Sequence, residues 1–92
     1  QDFHVNTAFV AADGFTVAGG FFGVDMEREE ALREMVHCAD RICMLLDGSK
    51  LGKSGTVSFL STSSVSELIT DASADSEICE GLRKRNVQVT VV

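Results

Sequence analysis

Ile42-Cys43-Met44-Leu45-Leu46-Asp47-Gly48 is the stretch of sequence that decides the fold class. Its five apolar residues follow one another without polar alternation, which indicates a strand covered on both faces, as in parallel sheets. The run stops at an Asp-Gly pair, which favours a turn. Three other stretches are read as strands: Ala8–Ala12 before Asp13-Gly14, Leu68–Thr70 before Asp71-Ala72, and the β-branched segment Val87–Val92.

Two helices are predicted between these strands. The first runs from Met26 to about Asp40, with Asp25 as its cap. Its apolar stripe consists of Leu32, Met35, Val36 and Ala39. The second runs from about Ala74 to Arg85, with Ser73 as the candidate cap. Its inward residues are Ile78 and Leu82, the left-handed stop is Asn86, and the basic run Arg83-Lys84-Arg85 suits the negative end of the helix dipole.

The segments between these elements are predicted from shorter patterns. Thr56–Leu60 is β-like, and Ser64–Glu67 has the spacing of a capping box that starts one helical turn. Gly19–Gly23 lacks the dinucleotide fingerprint and is interpreted as a flexible loop with its phenylalanines on the core. Strands alternating with helices predict an α/β fold with a Rossmann-like, mostly parallel sheet and flanking helices.

Three of the predicted strands end in an aspartate: Asp13, Asp47 and Asp71. Ligands of open α/β sheets bind beyond the carboxyl ends of the strands, so these side chains are expected at one edge, with Lys50 close by. The alternative is that each aspartate only forms a turn. Gly48–Ser54 is not a P-loop, because three residues separate its glycines and a β-like segment follows, but a Gly/Ser loop with lysines can hold one phosphate.

Composition excludes several classes of function. The net charge of −6 argues against a nucleic-acid surface, which is basic. The three cysteines lack zinc-site spacing, so free thiols in a reducing compartment are expected, with no metal and no cofactor. No apolar run reaches membrane-spanning length and no signal peptide is evident, which predicts a cytoplasmic protein without membrane contact. The chain starts at Gln1, and we expect it to be part of something longer.

Ala8–Gly14 and Leu46–Lys53 resemble the DeoR family of bacterial transcription regulators, whose C-terminal domain reads A-F-I-G-A-D-G and A-D-x-S-K-F-G-R at the matching places. Leu68–Asp71 and the final helix and strand are also similar to that family. At two positions the chain differs: Arg28 and Leu32 stand where the family carries Glu and Lys, which leaves the identity of the ligand open.

The resemblance implies an effector sensor with a fold like ribose-5-phosphate isomerase and glucosamine-6-phosphate deaminase. Residues 1–92 would be the C-terminal part of a DeoR-type effector-binding domain, which makes the chain a partial domain. Its continuous apolar strands need cover on both faces, and for that reason we also expect a homo-oligomer. DNA would be bound only through a helix-turn-helix upstream of this chain. The expected ligand is a phosphorylated sugar or related metabolite, and the expected ligand-binding residues are Asp13, Gly14, Asp47, Ser49, Lys50 and Gly52.

Two other functions stay open at this point. A sugar-phosphate isomerase or deaminase would need a second acid or base beside Asp13, and no His or Glu follows a comparable strand, since His4 and His37 lie elsewhere. No catalytic residue is therefore predicted, and the protein is not expected to be an enzyme. The third possibility is a structural dimerisation module.

Overall fold

The computed structural model describes residues 5–92 as two β-sheets and two α-helices. In chain order the elements are β1 (Val5–Ala11), β2 (Gly14–Thr16), β3 (Gly20–Gly23), α1 (Met26–Val36), β4 (Ala39–Leu45), β5 (Val57–Leu60), β6 (Glu67–Thr70), α2 (Ser76–Lys84) and β7 (Gln88–Val91). Single 3₁₀ turns lie at Gly48–Lys50 and Thr62–Ser64.

The main sheet has four strands in the order β1-β4-β6-β7, and every neighbouring pair is parallel. This confirms the predicted α/β class and the strand and helix alternation behind it. One face of the sheet forms the core, where Val10, Met44 and Leu68 are at most 1% exposed. Because parallel neighbours run in the same direction, the loops that follow β1, β4 and β6 leave from one edge.

The second sheet is antiparallel, with the order β2-β3-β5, and the sequence did not predict it. Gly20–Gly23 is a strand, so the interpretation of Gly19–Gly23 as a flexible loop was wrong. The expected burial of its aromatic side chains is correct for Phe21, which is fully buried, with its ring centroid 4.7 Å from that of Phe15. Gly20 has φ 79°, and a Cβ there would lie 2.5 Å from the Leu60 carbonyl oxygen, so only glycine fits.

Helix α1 begins where predicted and ends earlier. The Asp25 carboxylate accepts hydrogen bonds from the backbone N–H groups of Glu27 and Arg28, as an N-cap residue should. The helix stops at Val36 instead of near residue 40, because Ala39 already pairs with β1 at the start of β4. Leu32 and Val36 pack against the core, whereas Met35 is 38% exposed.

Two predicted start signals were assigned to the wrong residues. Helix α2 is capped by Asp75, whose carboxylate accepts from the N–H groups of the second and third residues that follow it, and not by Ser73. Ser64 ends a 3₁₀ turn instead of starting one. At the other end of α2 the prediction is confirmed, since Asn86 adopts φ 68° and Leu82 is 1% exposed.

The outward face of the main sheet is only partly covered by residues 5–92. Phe9 on β1 is 64% exposed and Leu45 on β4 is 39% exposed, although their continuous apolar runs predicted cover on both faces. That prediction is not met by the part of the chain described. No helix within this part is both long and apolar enough to cross a bilayer.

Candidate functional site

The six predicted ligand-binding residues lie at the edge where β1, β4 and β6 end. We call the loops at residues 12–14, 46–52 and 71–74 the carboxyl edge. Gly14 is buried, and the other five candidates, Asp13, Asp47, Ser49, Lys50 and Gly52, are exposed. The parallel register brings these loops to the same side of the sheet, as the sequence predicted.

Asp47 is engaged in its own turn. Its carboxylate accepts hydrogen bonds from the Ser49 backbone N–H at 3.0 Å and from the Ser49 hydroxyl at 2.9 Å. The Lys50 N–H donates to the Asp47 carbonyl at 2.9 Å and closes the turn. An aspartate bonded in this way to the residue two positions later fixes the backbone of the loop. Asp47 therefore shapes the segment that carries Lys50.

Asp71 joins the β6 loop to the β4 loop. Its carboxylate accepts from the Ser73 N–H and hydroxyl, and also from the Gly48 N–H at 3.2 Å. These hydrogen bonds, first among them that of the Ser73 hydroxyl, hold the pKa of Asp71 below its usual value. A Cβ on Gly48 would lie 2.5 Å from the Ala74 nitrogen, so the two loops are in close contact.

Asp13 is the strand-end aspartate with a free side chain. Its backbone N–H donates to the Phe22 carbonyl at 2.7 Å, which ties β1 to the second sheet. Its carboxylate forms no hydrogen bond or ion pair with any described residue. Gly14 lies against the backbone at Lys53, and a Cβ would overlap that carbonyl oxygen. Gly14 therefore lets the segment of residues 51–55 approach the start of β2.

Lys50 also has a free charged group. Its ammonium makes no ion pair with any described residue, including the nearby Asp47. The Gly52 N–H, expected to face a ligand, donates instead to the Phe15 carbonyl at 2.8 Å, and the Ser49 N–H is bonded to Asp47. One carboxylate, on Asp13, and one ammonium, on Lys50, thus remain at the carboxyl edge to meet a ligand.

A buried glutamate on α1 was not among the residues predicted from the sequence. Glu29, in the first turn of α1, is fully buried. One carboxylate oxygen accepts from Arg28 at 2.6 Å, and the other, Oε1, has no hydrogen-bond partner among the described residues. Its side chain occupies the space that a Cβ on Gly23 would fill. No pattern in the sequence indicates this burial, because it depends on Gly23, which belongs to another element.

The carboxyl edge is an open surface. Three cavities among the described residues, of about 400, 480 and 270 Å³, are lined by other residues. Within residues 5–92 no group of His, Cys, Asp and Glu side chains could hold a metal ion. The histidine His4 lies outside the described residues.

The three thiols are free, as the sequence predicted, and none is fully exposed. Burial raises the pKa of the Cys43 thiol, and the nearby Glu67 carboxylate adds to the effect. The neighbouring Arg41 opposes it. A buried thiol that holds its proton is a poor nucleophile, so Cys43 acts as a small core residue.

Comparison with known proteins identifies similar sequences. A family model described as the DeoR C terminal sensor domain matches residues 1–72. The whole chain also aligns, with 27% identity over 92 residues, with a protein of Escherichia coli O157:H7 named as an aga operon transcriptional repressor. The alignment covers 100% of this chain and 34% of that protein, so the chain spans about one third of the length of this relative.

Proposed function

Because the chain belongs to the family of DeoR C-terminal sensor domains, we propose that it is the effector-sensing portion of a DeoR-type transcriptional regulator. Residues 1–92 form the C-terminal part of the effector-binding domain, with a fold of the ribose-5-phosphate isomerase and glucosamine-6-phosphate deaminase type. Two observations support the partial domain: Phe9 is 64% exposed on the outward sheet face, and the chain spans one third of a relative. The rest of the domain covers that face.

The ligand is a phosphorylated sugar or a related metabolite, bound at the carboxyl edge. The observation that carries this proposal is the pair of free groups there, the Asp13 carboxylate and the Lys50 ammonium. A carboxylate accepts hydrogen bonds from sugar hydroxyls, and an ammonium attracts phosphate. Asp47 and Ser49 hold the Lys50 turn in place. Gly14 lets the backbone at Lys53 approach, and Gly52 adopts φ 95°, which favours glycine.

Sensing works by a shift of population. The ligand binds one arrangement of the sensor subunits more tightly than the other and thereby changes the DNA affinity of a separate helix-turn-helix. The regulator is a cytoplasmic homo-oligomer. We expect it to perform no catalysis, because Asp13 has the only free carboxylate at the carboxyl edge, and no histidine or glutamate lies in the loops that form this edge.

Lys50→Ala tests the proposal. Removing one charge-assisted contact costs about 1.5–3 kcal/mol, so affinity for a bound sugar phosphate should fall tenfold or more. Titration calorimetry with ribose-5-phosphate and glucosamine-6-phosphate measures this. The matched control is Lys84→Ala, which removes the same charge from the end of α2.

The outcomes separate the functions considered. Equal affinity of the Lys50→Ala variant and the unchanged protein would refute the binding role of Lys50. Turnover of either sugar phosphate would favour an isomerase or deaminase. If no phosphorylated metabolite raises the melting temperature of the protein, a structural dimerisation module is the better description.

A further inference from the structure

The cavity of about 400 Å³ lies at the edge of the main sheet opposite to the carboxyl edge. Ser61, Thr62 and Ser63 line it just before β6 begins, and Arg85 lines it just before β7 begins. Asp71 follows the other end of β6, whose four residues span about 13 Å. The cavity is therefore separate from the carboxyl edge.

Arg85 gives this cavity its charge. None of the residues that line it is acidic, and Arg85 is the only charged one. Its guanidinium forms no hydrogen bond or ion pair with any residue from 5 to 92, although the chain carries a net charge of −6. The neighbouring Arg83 differs, because it pairs with Glu80 at 3.0 Å and donates to the Val89 carbonyl. Within the basic run, Arg83 therefore has a structural role, whereas the Arg85 guanidinium is free.

Hydroxyl groups line the same cavity as Arg85. The Ser61 hydroxyl lies 3.1 Å from the Ser63 hydroxyl and 3.1 Å from that of Ser64, so the side chains are already gathered. A hydroxyl can rotate to donate to an incoming acceptor. The remaining lining residues have no polar side chain: they are Val17, which is 59% exposed, Ala18, Gly19 and Gly20.

We propose that this cavity binds the phosphate group of a small phosphate monoester. A phosphate presents several acceptor oxygens and no competing donor, which matches one guanidinium and a cluster of hydroxyls. Arg85 binds the charge, and Ser61 and Ser63 donate to the remaining oxygens. Gly19 and Gly20 have no side chains and leave room for the ester carbon, which contacts Val17. The site takes its ligand independently of the carboxyl edge.

Nuclear magnetic resonance titration of the 92-residue protein tests the site, with inorganic phosphate, methyl phosphate and acetate as probes and sodium chloride at matched ionic strength as the reference. Both phosphates should shift the amide resonances of Gly19, Gly20 and Ser61–Ser63 in a saturable way. Arg85→Ala should weaken this binding at least about fivefold. Lys84→Ala, which removes the adjacent charge, and Lys50→Ala, at the other edge, should leave the affinity unchanged.

Several results would overturn the assignment. These are the absence of saturable shifts in this cluster at tens of millimolar phosphate, equal binding of acetate, or unchanged affinity in the Arg85→Ala protein. Arg85→Lys provides a second variant that keeps the charge at the end of the helix, and it should retain part of the binding. If Lys50→Ala does not weaken the binding of a sugar phosphate, the proposed site at the carboxyl edge is refuted, and the proposal for this cavity is unaffected.

Discussion

Gly23→Ala should destabilise the protein through a single contact. Gly23 does not adopt a positive φ, so alanine is compatible with the backbone there. An added Cβ would overlap the carboxylate of Glu29, which is fully buried and cannot swing into solvent without leaving the core. Forcing an extra methyl group into a packed site costs about 1–3 kcal/mol. We expect that loss in the free energy of unfolding.

Glu29→Ala supplies the matched background. Removing the carboxylate empties the space beside Gly23, so Gly23→Ala should then cost less than about 1 kcal/mol or even stabilise the protein by reducing the entropy of the unfolded chain. The coupling energy between the two substitutions should accordingly be about 1–3 kcal/mol. The cost of Glu29→Ala by itself cancels in this comparison.

Urea denaturation of the four proteins, followed by circular dichroism, measures the cycle. For a domain of this size each kcal/mol also moves the melting temperature by about 4–8 °C, so thermal unfolding gives an independent reading. An equal cost of Gly23→Ala in both backgrounds would show that Glu29 is not the obstacle. A Gly23→Ala protein as stable as the original would refute the close packing of β3 against α1.

Two more predictions concern acid stability and self-association. Hydrogen bonds from Ser73 and Gly48 lower the pKa of Asp71, so its ionised form stabilises the folded state. This stabilisation is complete above the pKa of about 3.9 that the carboxyl has in the unfolded chain. It is lost as the pH falls through the lower pKa of the folded state. Between pH 6 and pH 2 the Asp71→Asn protein should therefore lose less of its free energy of unfolding than the original protein. Urea unfolding midpoints measure this, and equal pH dependence of the two midpoints would contradict it. Because the outward sheet face is exposed, the 92-residue protein should be dimeric or larger in sedimentation experiments. Phe9→Ser should weaken this association about tenfold or more, because a buried Phe contributes about 1.5–3 kcal/mol. A protein that is monomeric at every concentration would refute the prediction.

The main sheet could be predicted because its strands carry strong local patterns. Ile42–Leu46 is continuously apolar and Val87–Val92 is β-branched, and the structure has strands in both places. The second sheet could not be predicted in this way. Its strand β3 has four residues, two of them glycine, and it owes its conformation to pairing with β5, more than thirty residues later. The hydrophobic periodicity of a short stretch of sequence does not indicate pairing between such distant segments.

The candidate site was predictable in position and less so in detail. Strand ends followed by aspartate located the carboxyl edge, but the residue type does not tell which carboxylate is used internally. Asp47 and Asp71 accept hydrogen bonds from serines two residues later, whereas Asp13 is followed by Phe15 at that spacing and has no such partner. That difference can be read from the sequence. The burial of Glu29 cannot, since it depends on a glycine from another element.

The parallel order of the main sheet has a consequence for how the chain folds. Each of its pairings joins distant residues, such as Val5 with Ala39 and Glu67 with Gln88, so no pair of neighbouring strands can form as a hairpin. The chain loses the entropy of closing each long loop before the contacts between the two strands compensate for it, and this slows folding. During synthesis β1 and β4 can pair before β6 has left the ribosome, and β7 joins last, at the edge. We expect a folding intermediate in which the edge of β4 is unpaired until β6 forms. Such an intermediate is prone to pair with another incompletely folded chain.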